Sequence, residues 1–310
     1  MTSSTTAQLI DNDHWAAATP RLSVLIPFMR DDPRRLLRAL DRAQDGIEIV
    51  LLDDGSNDPG LTSAVVQVVQ GLNLPCRFVT LPTNEGRARG RNRLAANARA
   101  QAWLFLDSDM LPDSEQFLAY WLALIDEYNP AVAFGGFSLD QAPPCPEHAI
   151  HRAMALQGDC APASLRQQSP EKYVFTSNLL VRRDVFEAET FDEGFTGWGW
   201  EDVEWAMRVS QRWPITHVDI TATHLGLDTA PALAAKYEQS VANFARVVQR
   251  HLSIVSTYPS YRAARLLKAA PLRRVWRPWL KALACTDTAP IRLRAFALRL
   301  FRAALYAEAV

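Results

Sequence analysis

An α/β fold built on a mostly parallel sheet is the architecture this sequence predicts, and three observations carry the prediction. Strand-like and helix-like stretches alternate through the first half, as in consecutive βαβ units. Two of the strand-like runs end abruptly in paired aspartates, at Asp53-Asp54 and at Asp107-Ser108-Asp109. The last fifty residues change character, with apolar positions at helical spacing crossed by arginines, and form a basic helical tail.

Residues 22–27 (Leu-Ser-Val-Leu-Ile-Pro) are the first strand, and Asp32-Pro33 opens a helix with proline where its missing N–H does no harm. Residues 47–52 are the second strand, running into Asp53-Asp54-Gly55-Ser56. A helix over 61–70, a short strand over 76–80 and an alanine- and arginine-rich helix over 87–100 lead into the strand 103–106. A helix over 114–128 and a strand over 131–134 complete what resembles half of a doubly wound sheet. The pattern then loosens. Residues 141–170 hold five prolines and little periodicity, which predicts a loop or mobile lid, a length uncommon unless functional. A strand over 173–181, a helix over 201–212, a short strand over 216–220 and a helix over 232–251 follow. The expected division is a flexible terminus (1–19), a main domain (20–255) and a basic amphipathic helical tail (256–310).

The 310 residues are 48% hydrophobic with a formal charge of −1, which conceals an asymmetry. Residues 261–310 carry eleven Lys or Arg against Asp287 and Glu308, a net of +9, so the rest of the chain sums to −10. An acidic body repels phosphates, so nucleic acid is not an expected partner. Tryptophan and cations on amphipathic helices instead point to an anionic membrane surface, with simple packing on the body as the alternative. Cys76, Cys145, Cys160 and Cys285 form no C-x-x-C pair and predict no structural zinc. The first twenty residues lack the apolar stretch of a secretion signal, and no window is long and apolar enough to span a bilayer. A cytoplasmic protein is expected, with peripheral attachment to the membrane's cytoplasmic face.

Chemistry concentrates at the strand ends, where ligands bind in open α/β sheets. Two acids separated by one small residue, Asp107 and Asp109, suit a hard divalent cation that keeps water and phosphate oxygens in its shell. Asp53 and Asp54 are placed to accept from a base N–H or a ribose hydroxyl, although Asx-Gly at a strand end is also an ordinary turn. No G-x-G-x-x-G or Walker loop is present. Arg87, Arg89, Arg91 and Arg93 alternate, so on a helix Arg87 and Arg91 share one face and Arg89 and Arg93 another. One pair could reach a diphosphate, and the other would be solvated or bonded to body carboxylates. In Gly197-Trp-Gly-Trp-Glu-Asp202, Trp198 and Trp200 offer flat faces for sugar stacking, and Glu201 and Asp202 offer acceptors for hydroxyls. Glu204 and Arg208 read as a surface ion pair. His224 follows the last strand and could join a metal beside two carboxylates; His148, His151, His217 and His251 have no comparable context.

Residues 24–27, Asp53-Asp54-Gly55-Ser56, Asn84-x-Gly86 with Arg91-Asn92, and Phe105-Leu-Asp-Ser-Asp109 together resemble the nucleotide-sugar glycosyltransferases of the GT-A fold, family 2. Ser177-Asn-Leu-Leu-Val-Arg182, Phe191-Asp-Glu and Gly197-Trp-Gly-Trp-Glu-Asp202 are similar to the C-terminal half of galactosyltransferase-type members. The resemblance covers roughly residues 20–228. It implies a GT-A sheet with a C-terminal helical appendage, and an inverting enzyme that uses a UDP-sugar donor and Mn2+ or Mg2+. The acceptor it implies is a saccharide or lipid-linked saccharide of surface-polysaccharide or glycan synthesis. Asp54 would contact uracil or ribose with Asp53 supporting it, and Asp107 would lie near the ribose or metal. Asp109 and His224 would ligate the metal, and Asp202 would be the catalytic base. The matched positions Arg91, Asn178, Trp198, Trp200 and Glu201 join the substrate-binding set. One departure is the missing histidine-methionine pattern of animal galactosyltransferases around His224. The rival readings are a sugar nucleotidyltransferase, whose lysine-bearing glycine loop residues 28–33 do not supply, and a catalytically silent carbohydrate-binding or scaffold protein of the same fold.

Overall fold

The structure is a computed structural model and describes residues 7–42 and 44–310. The strands and helices of the first half are β1 (Gln8–Asp11), β2 (Leu22–Phe28), α1 (Arg34–Leu40), β3 (Ile47–Asp53), α2 (Pro59–Gln70), β4 (Cys76–Thr80) and α3 (Arg87–Asn97). Next come β5 (Ala102–Leu106), β6 (Met110–Pro112), α4 (Phe117–Tyr128), β7 (Val132–Phe134) and β8 (Phe137–Ser138). The second half adds α5 (Ala149–Gln157), α6 (Ala163–Arg166), β9 (Asn178–Arg182), α7 (Arg183–Ala188), α8 (Glu201–Val209), β10 (Ile215–His217) and β11 (Ala222–His224). Six helices end the chain: α9 (Ala230–Gln239), α10 (Val241–Arg250), α11 (Leu252–Val255), α12 (Pro259–Lys268), α13 (Arg273–Cys285) and α14 (Ile291–Tyr306).

The main sheet has eight strands in the order β1-β4-β3-β2-β5-β9-β7-β10. The pairs β2–β3, β2–β5, β3–β4 and β7–β10 are parallel, whereas β1, and β9 against both neighbours, run antiparallel. β3 and β5 are buried along their whole length because helices cover both faces, which explains their unbroken apolar runs. Alternate side chains of β3 feed two cores: Ile47, Ile49 and Leu51 join one, and Val50 and Leu52 the other. A second sheet, β6-β11-β8, sits past the carboxyl end of β5. A third core joins α9 and α10 to α12, α13 and α14, so the C-terminal helices pack against the body on both sides of residue 255.

Several elements differ from the sequence expectation. Within the flexible 1–19 segment, residues 8–11 pair with β4, and Asn12 anchors the strand by accepting the Cys76 N–H and donating to the carbonyls of Val69, Leu72 and Leu74. Residues 1–6 lie outside the described residues. The expected loop 141–170 is largely short helices, because its prolines occur at helix starts: Pro146 and Pro170 open single 3-10 turns and Pro162 precedes α6. Buried Arg166 staples that region by donating to the carbonyls of Ala161 and Val218. The expected helix 232–251 breaks at Ser240, whose hydroxyl bonds the Tyr237 carbonyl and the Tyr306 hydroxyl. Glu204 is no surface residue. It is fully buried and shared by Arg208, Arg250 and His251.

Candidate active site

The first wall of the site is made by the ends of β3 and β5 and the start of α3. Asp53 is buried and caps its own turn, accepting the Ser56 N–H at 2.8 Å. Asp54 does not stand free for a base. Its oxygens accept the N–H groups of Glu85 and Gly86 at 2.7 and 3.0 Å and the Asn84 amide at 3.0 Å, fixing the turn that begins α3. Burial pushes Asp54 up from the usual carboxylate range, and those two N–H groups oppose the shift. Gly55 adopts φ +74°, and a Cβ there would come within 2.4 Å of the Thr83–Asn84 backbone, so the Asp-Gly turn has a packing reason.

The arginine helix divides as its spacing predicts. Arg89 and Arg93 are outward, paired with Glu193 and Glu85. Arg91 is 2% exposed and binds Asp107 at 2.9 Å with Glu201 at 3.8 Å. It therefore holds the acids in place from the inner side of the helix. Arg87, 45% exposed and also 3.8 Å from Glu201, is the arginine that opens into the cleft. Enclosure weakens its hydration, but Glu201, Asp107, Asp202 and Asp109 more than offset that and raise its pKa. One guanidinium thus lies within electrostatic reach of acids from two strand-end residues and one distant helix.

The second sheet delivers the histidine. β11 pairs antiparallel with β6, matching His224 to Met110, and this brings His224 Nε2 within 3.2 Å of Asp109 Oδ2. Burial is the strongest single influence and works to raise Asp109 and to lower His224. Their hydrogen bond and mutual attraction, with Arg87 acting on Asp109 and Asp107 and Asp159 on His224, together outweigh it, so Asp109 is held low and His224 high. Glycine at 226 leaves room for the Asp109 carboxylate, since a Cβ would fall 1.9 Å from Asp109 Oδ2 and force that side chain to move. An imidazole and a carboxylate with adjacent lone pairs are a donor set suited to Mn2+ or Mg2+, with the remaining positions left to phosphate and water. His151, which had no sequence signal, stacks edge-on against His224 at 5.9 Å and accepts the Asp228 N–H at 2.7 Å. Burial and the nearby His224 lower its pKa to about 4. Asp31 was also missed; it lines a hollow of about 230 Å³ with Ser108, Asp109 and Gly226. Burial and the Asp109 charge raise its pKa. Only the folding of residues 28–33 beside the β5 end reveals it.

The entry to α8 is set by three positive-φ residues, Gly197 (+72°), Gly199 (+87°) and Trp200 (+78°). For a tryptophan that conformation is strained by about 1–3 kcal/mol. It is held because Asn243 donates to the Thr196 and Gly199 carbonyls and Trp200 Nε1 donates to the Tyr306 hydroxyl at 2.9 Å. The Trp200 ring packs on Phe244 and Tyr306, 4.9 and 5.9 Å between centroids. It is a packing residue, in place of the expected sugar platform. Trp198 lies beside Tyr237 at 6.1 Å and is half-buried. Glu201 is 4% exposed and serves Arg87 and Arg91, so it too positions charge instead of meeting hydroxyls. Asn178 is wholly buried and donates to the Gly136 and Ile220 carbonyls, below the floor of the site. Asp202 is half-buried and accepts the Thr176 N–H at 3.3 Å. Enclosure and then the Glu201 charge push it up to about 7, against the pull of Arg91 and Arg87.

Away from this cleft, Cys145, Glu147 and His148 bring a thiol, a carboxylate and an imidazole within 4.8 Å of one another, a grouping their spacing had not suggested.

A mostly parallel α/β sheet with carboxylates at successive strand ends around one cleft defines the GT-A class of glycosyltransferase fold. Residues 23–188, more than half of the chain, match the model for glycosyl transferase family 2, and the chain belongs to that family. The protein is accordingly a glycosyltransferase. Over 93 residues it is 28% identical to an uncharacterized glycosyltransferase of Haemophilus influenzae, a stretch covering 29% of this chain and about a third (36%) of that protein's length. Solved structures that share its fold include the following two. The mannosyltransferase PcManGT of Pyrobaculum calidifontis, in complex with GDP-Man and Mn2+, has a TM-score of 0.59 at 15% identity over 94% of this chain and 88% of its own. S. aureus TarS residues 1–349 has a TM-score of 0.55 at 17% identity over 93% of this chain and 90% of its own. The same TarS fragment is also known in complex with UDP-GlcNAc, at a TM-score of 0.53, 17% identity and the same two coverages.

Proposed function

We propose that the chain is an inverting, metal-dependent transferase that moves a sugar from a UDP-sugar to a hydroxyl of a saccharide or lipid-linked saccharide, in bacterial surface-polysaccharide or glycan synthesis. The observation that carries this is Arg87 lying among Asp107, Asp109, Glu201 and Asp202, with His224 closing on Asp109 at 3.2 Å. Asp109 and His224 would hold Mn2+ or Mg2+, with Asp107 beside them. A divalent cation there supplies the positive charge that lets a nucleoside diphosphate leave. Arg87 adds a second positive charge to the same leaving oxygens, aligned at the start of α3, where the helix dipole favours anions. The nucleoside lies against the turn that Asp54 and Asp53 hold, and Trp198 flanks the sugar.

Asp202 takes the proton of the acceptor hydroxyl as its oxygen bonds the anomeric carbon. The bond to the diphosphate breaks, and its electron pair leaves with UDP. Attack from the side opposite the leaving group inverts the anomeric centre, through an oxocarbenium-like transition state. A base with a pKa near the working pH is the efficient choice, and the enclosure of Asp202 supplies it.

The reading places residues 20–255 as the catalytic unit and 256–310 as a tail that touches the cytoplasmic face of an anionic membrane. No described helix is long and apolar enough to cross a membrane. Leu266 on α12, Leu272 just before α13, Val275 and Trp279 on α13 and Phe296 on α14 are nevertheless 60–78% exposed among the tail's arginines. Cations near such a surface contribute about 1 kcal/mol each. Sedimentation with anionic vesicles at low and high salt tests this part; protein that stays in the supernatant at low salt removes it.

The central test is incubation of the purified chain with Mn2+ and a panel of UDP- and GDP-sugars, following nucleotide release. Slow hydrolysis of one donor supports the reading. Failure to bind or cleave any donor would leave the silent scaffold as the answer.

A further inference from the structure

Arg302, late in α14, is a guanidinium without a carboxylate. On the same helix Arg294 pairs with Asp287 at 2.9 Å, Arg299 donates to the Gln157 amide oxygen at 2.7 Å, and Arg292 is exposed to solvent. Half-buried Arg302 instead lies over the Tyr237 ring, 5.1 Å from its centroid. Among the described residues no acid reaches it within ion-pair distance: burial works against its charge, while Tyr237, which also hydrogen-bonds it, Tyr306 and the more distant carboxylate of Asp159 favour it. Asp159 is half-buried too, and burial raises its pKa. Taking a charge out of water without a close counter-charge is unfavourable, and an anionic ligand would supply one.

A continuous series of contacts joins Arg302 to the metal side of the site. Tyr237 packs on Trp198 at 6.1 Å, and the Lys236 ammonium lies 5.9 Å from the Trp198 ring. Lys236 pairs with Asp228 at 2.6 Å, and the Asp228 N–H reaches His151, the neighbour of His224. Asp159 closes the ring, since it lies within electrostatic reach of both Arg302 and His224. The Arg299–Gln157 bond sets the end of α5, and with it the place of Asp159. This wall continues from the His224 side of the site, with two aromatic rings and one cation that has no close ion pair.

We propose that this wall is the acceptor subsite and that Arg302 binds an anionic group of the acceptor, a phosphate or phosphodiester oxygen near the hydroxyl that is glycosylated. The assignment rests on the transferase reading above. It makes the tail part of the substrate site, and it makes acceptor charge the selected feature. Asp159 sits where an incoming phosphate would meet it, so it limits how tightly anions bind.

The test uses the full chain with Mn2+ and UDP, titrated with glycerol phosphate against glycerol and with farnesyl phosphate against farnesol, read by tryptophan fluorescence. Each phosphate is expected to bind about tenfold or more tighter than its uncharged counterpart, the effect of one charge-assisted contact. Arg302→Gln should erase that preference while UDP binding persists, Arg302→Lys should retain most of it, and Asp159→Asn should tighten phosphate binding. A higher affinity for glycerol phosphate assigns a polyol-phosphate acceptor, and a higher affinity for farnesyl phosphate a lipid-linked one. Equal binding of phosphate and alcohol, or a preference that survives Arg302→Gln, overturns the proposal. UDP and GDP binding is measured first by calorimetry. Absence of both would remove the transferase reading, and the phosphate preference of the nucleotide-free chain would still stand or fall with Arg302.

Discussion

The two walls of the cleft are held in place by different means. On the β3–β5–α3 wall, partners are close in the chain: Arg91 meets Asp107 sixteen residues on, and Asp54 meets Gly86 after 32. Each charged group there directly follows a buried strand or opens a helix, so its position is a consequence of local structure. On the opposite wall the contacts are distant. Trp200 meets Tyr306 across 106 residues, and His224 reaches Asp109 through pairing of two three-residue strands. The first wall is rigid because its strands are buried on both faces, whereas the second depends on the C-terminal helices docking correctly. Donor chemistry would then tolerate changes in the tail that acceptor chemistry does not.

The comparison can be broken most severely at Asp109. In the proposed function Asp109 is a metal ligand whose loss would forfeit several kcal/mol of charge stabilisation, so Asp109→Ala is expected to lower transfer by about a thousandfold or more and to abolish the response to Mn2+. Initial rates across a Mn2+ series check both parts.

Asp202→Asn should slow turnover by about 10²–10⁴-fold with nucleotide affinity unchanged, because a base acts in the displacement and not in holding the donor. The wild-type rate should rise with pH through about 7, since only the ionised carboxylate accepts a proton, while the residual rate of the variant stays flat. Near wild-type turnover in Asp202→Asn would end the base assignment.

The two faces of α3 differ in what they stabilise. Arg91→Ala leaves Asp107 and buried Glu201 short of a partner and should cost about 3–5 kcal/mol, whereas Arg93→Ala removes an exposed pair and should stay within about 1 kcal/mol. Urea unfolding of the two variants side by side is the measurement, and equal midpoints would contradict the buried role of Arg91.

Gly226→Ala pushes a methyl group into Asp109 and should weaken Mn2+ binding by about 10–100-fold in a chain that still folds. Calorimetric Mn2+ titration beside circular dichroism separates the two effects. The smallest change belongs to the far wall: Trp200→Phe keeps the ring and loses one hydrogen bond to Tyr306, worth about 1 kcal/mol. A double-mutant cycle with Tyr306→Phe should show that the two losses are one and the same.

How far the site could be read in advance varies along the chain in the same way. Asp107, Asp109 and the outward or inward division of the arginines follow from a strand end and a helical repeat. The choice of Arg87 over Arg91 as the open arginine required the positions of Glu201 and Asp107, which lie on other elements. Asn178, Trp200 and Glu201 carry residue types suited to sugar binding, yet packing claims all three. His151 and Asp31 had no pattern around them, because a single polar residue in a helix or loop has no period to reveal its neighbours.

By itself, the amino-acid sequence determined the alternating α/β layout, the acids at the ends of two strands, the basic character of the tail and the family to which the chain belongs. Those are properties of short-range pattern, set by burial of apolar periods and by what can follow a buried strand. Tertiary structure alone decided that the 141–170 segment folds largely as short helices, that the tail shares a core with α9 and α10, and that Arg302 lies over Tyr237 with no close ion pair. The physical reason is that side-chain partners separated by a hundred residues are chosen by how whole elements pack, and packing depends on the shape of every surface that meets.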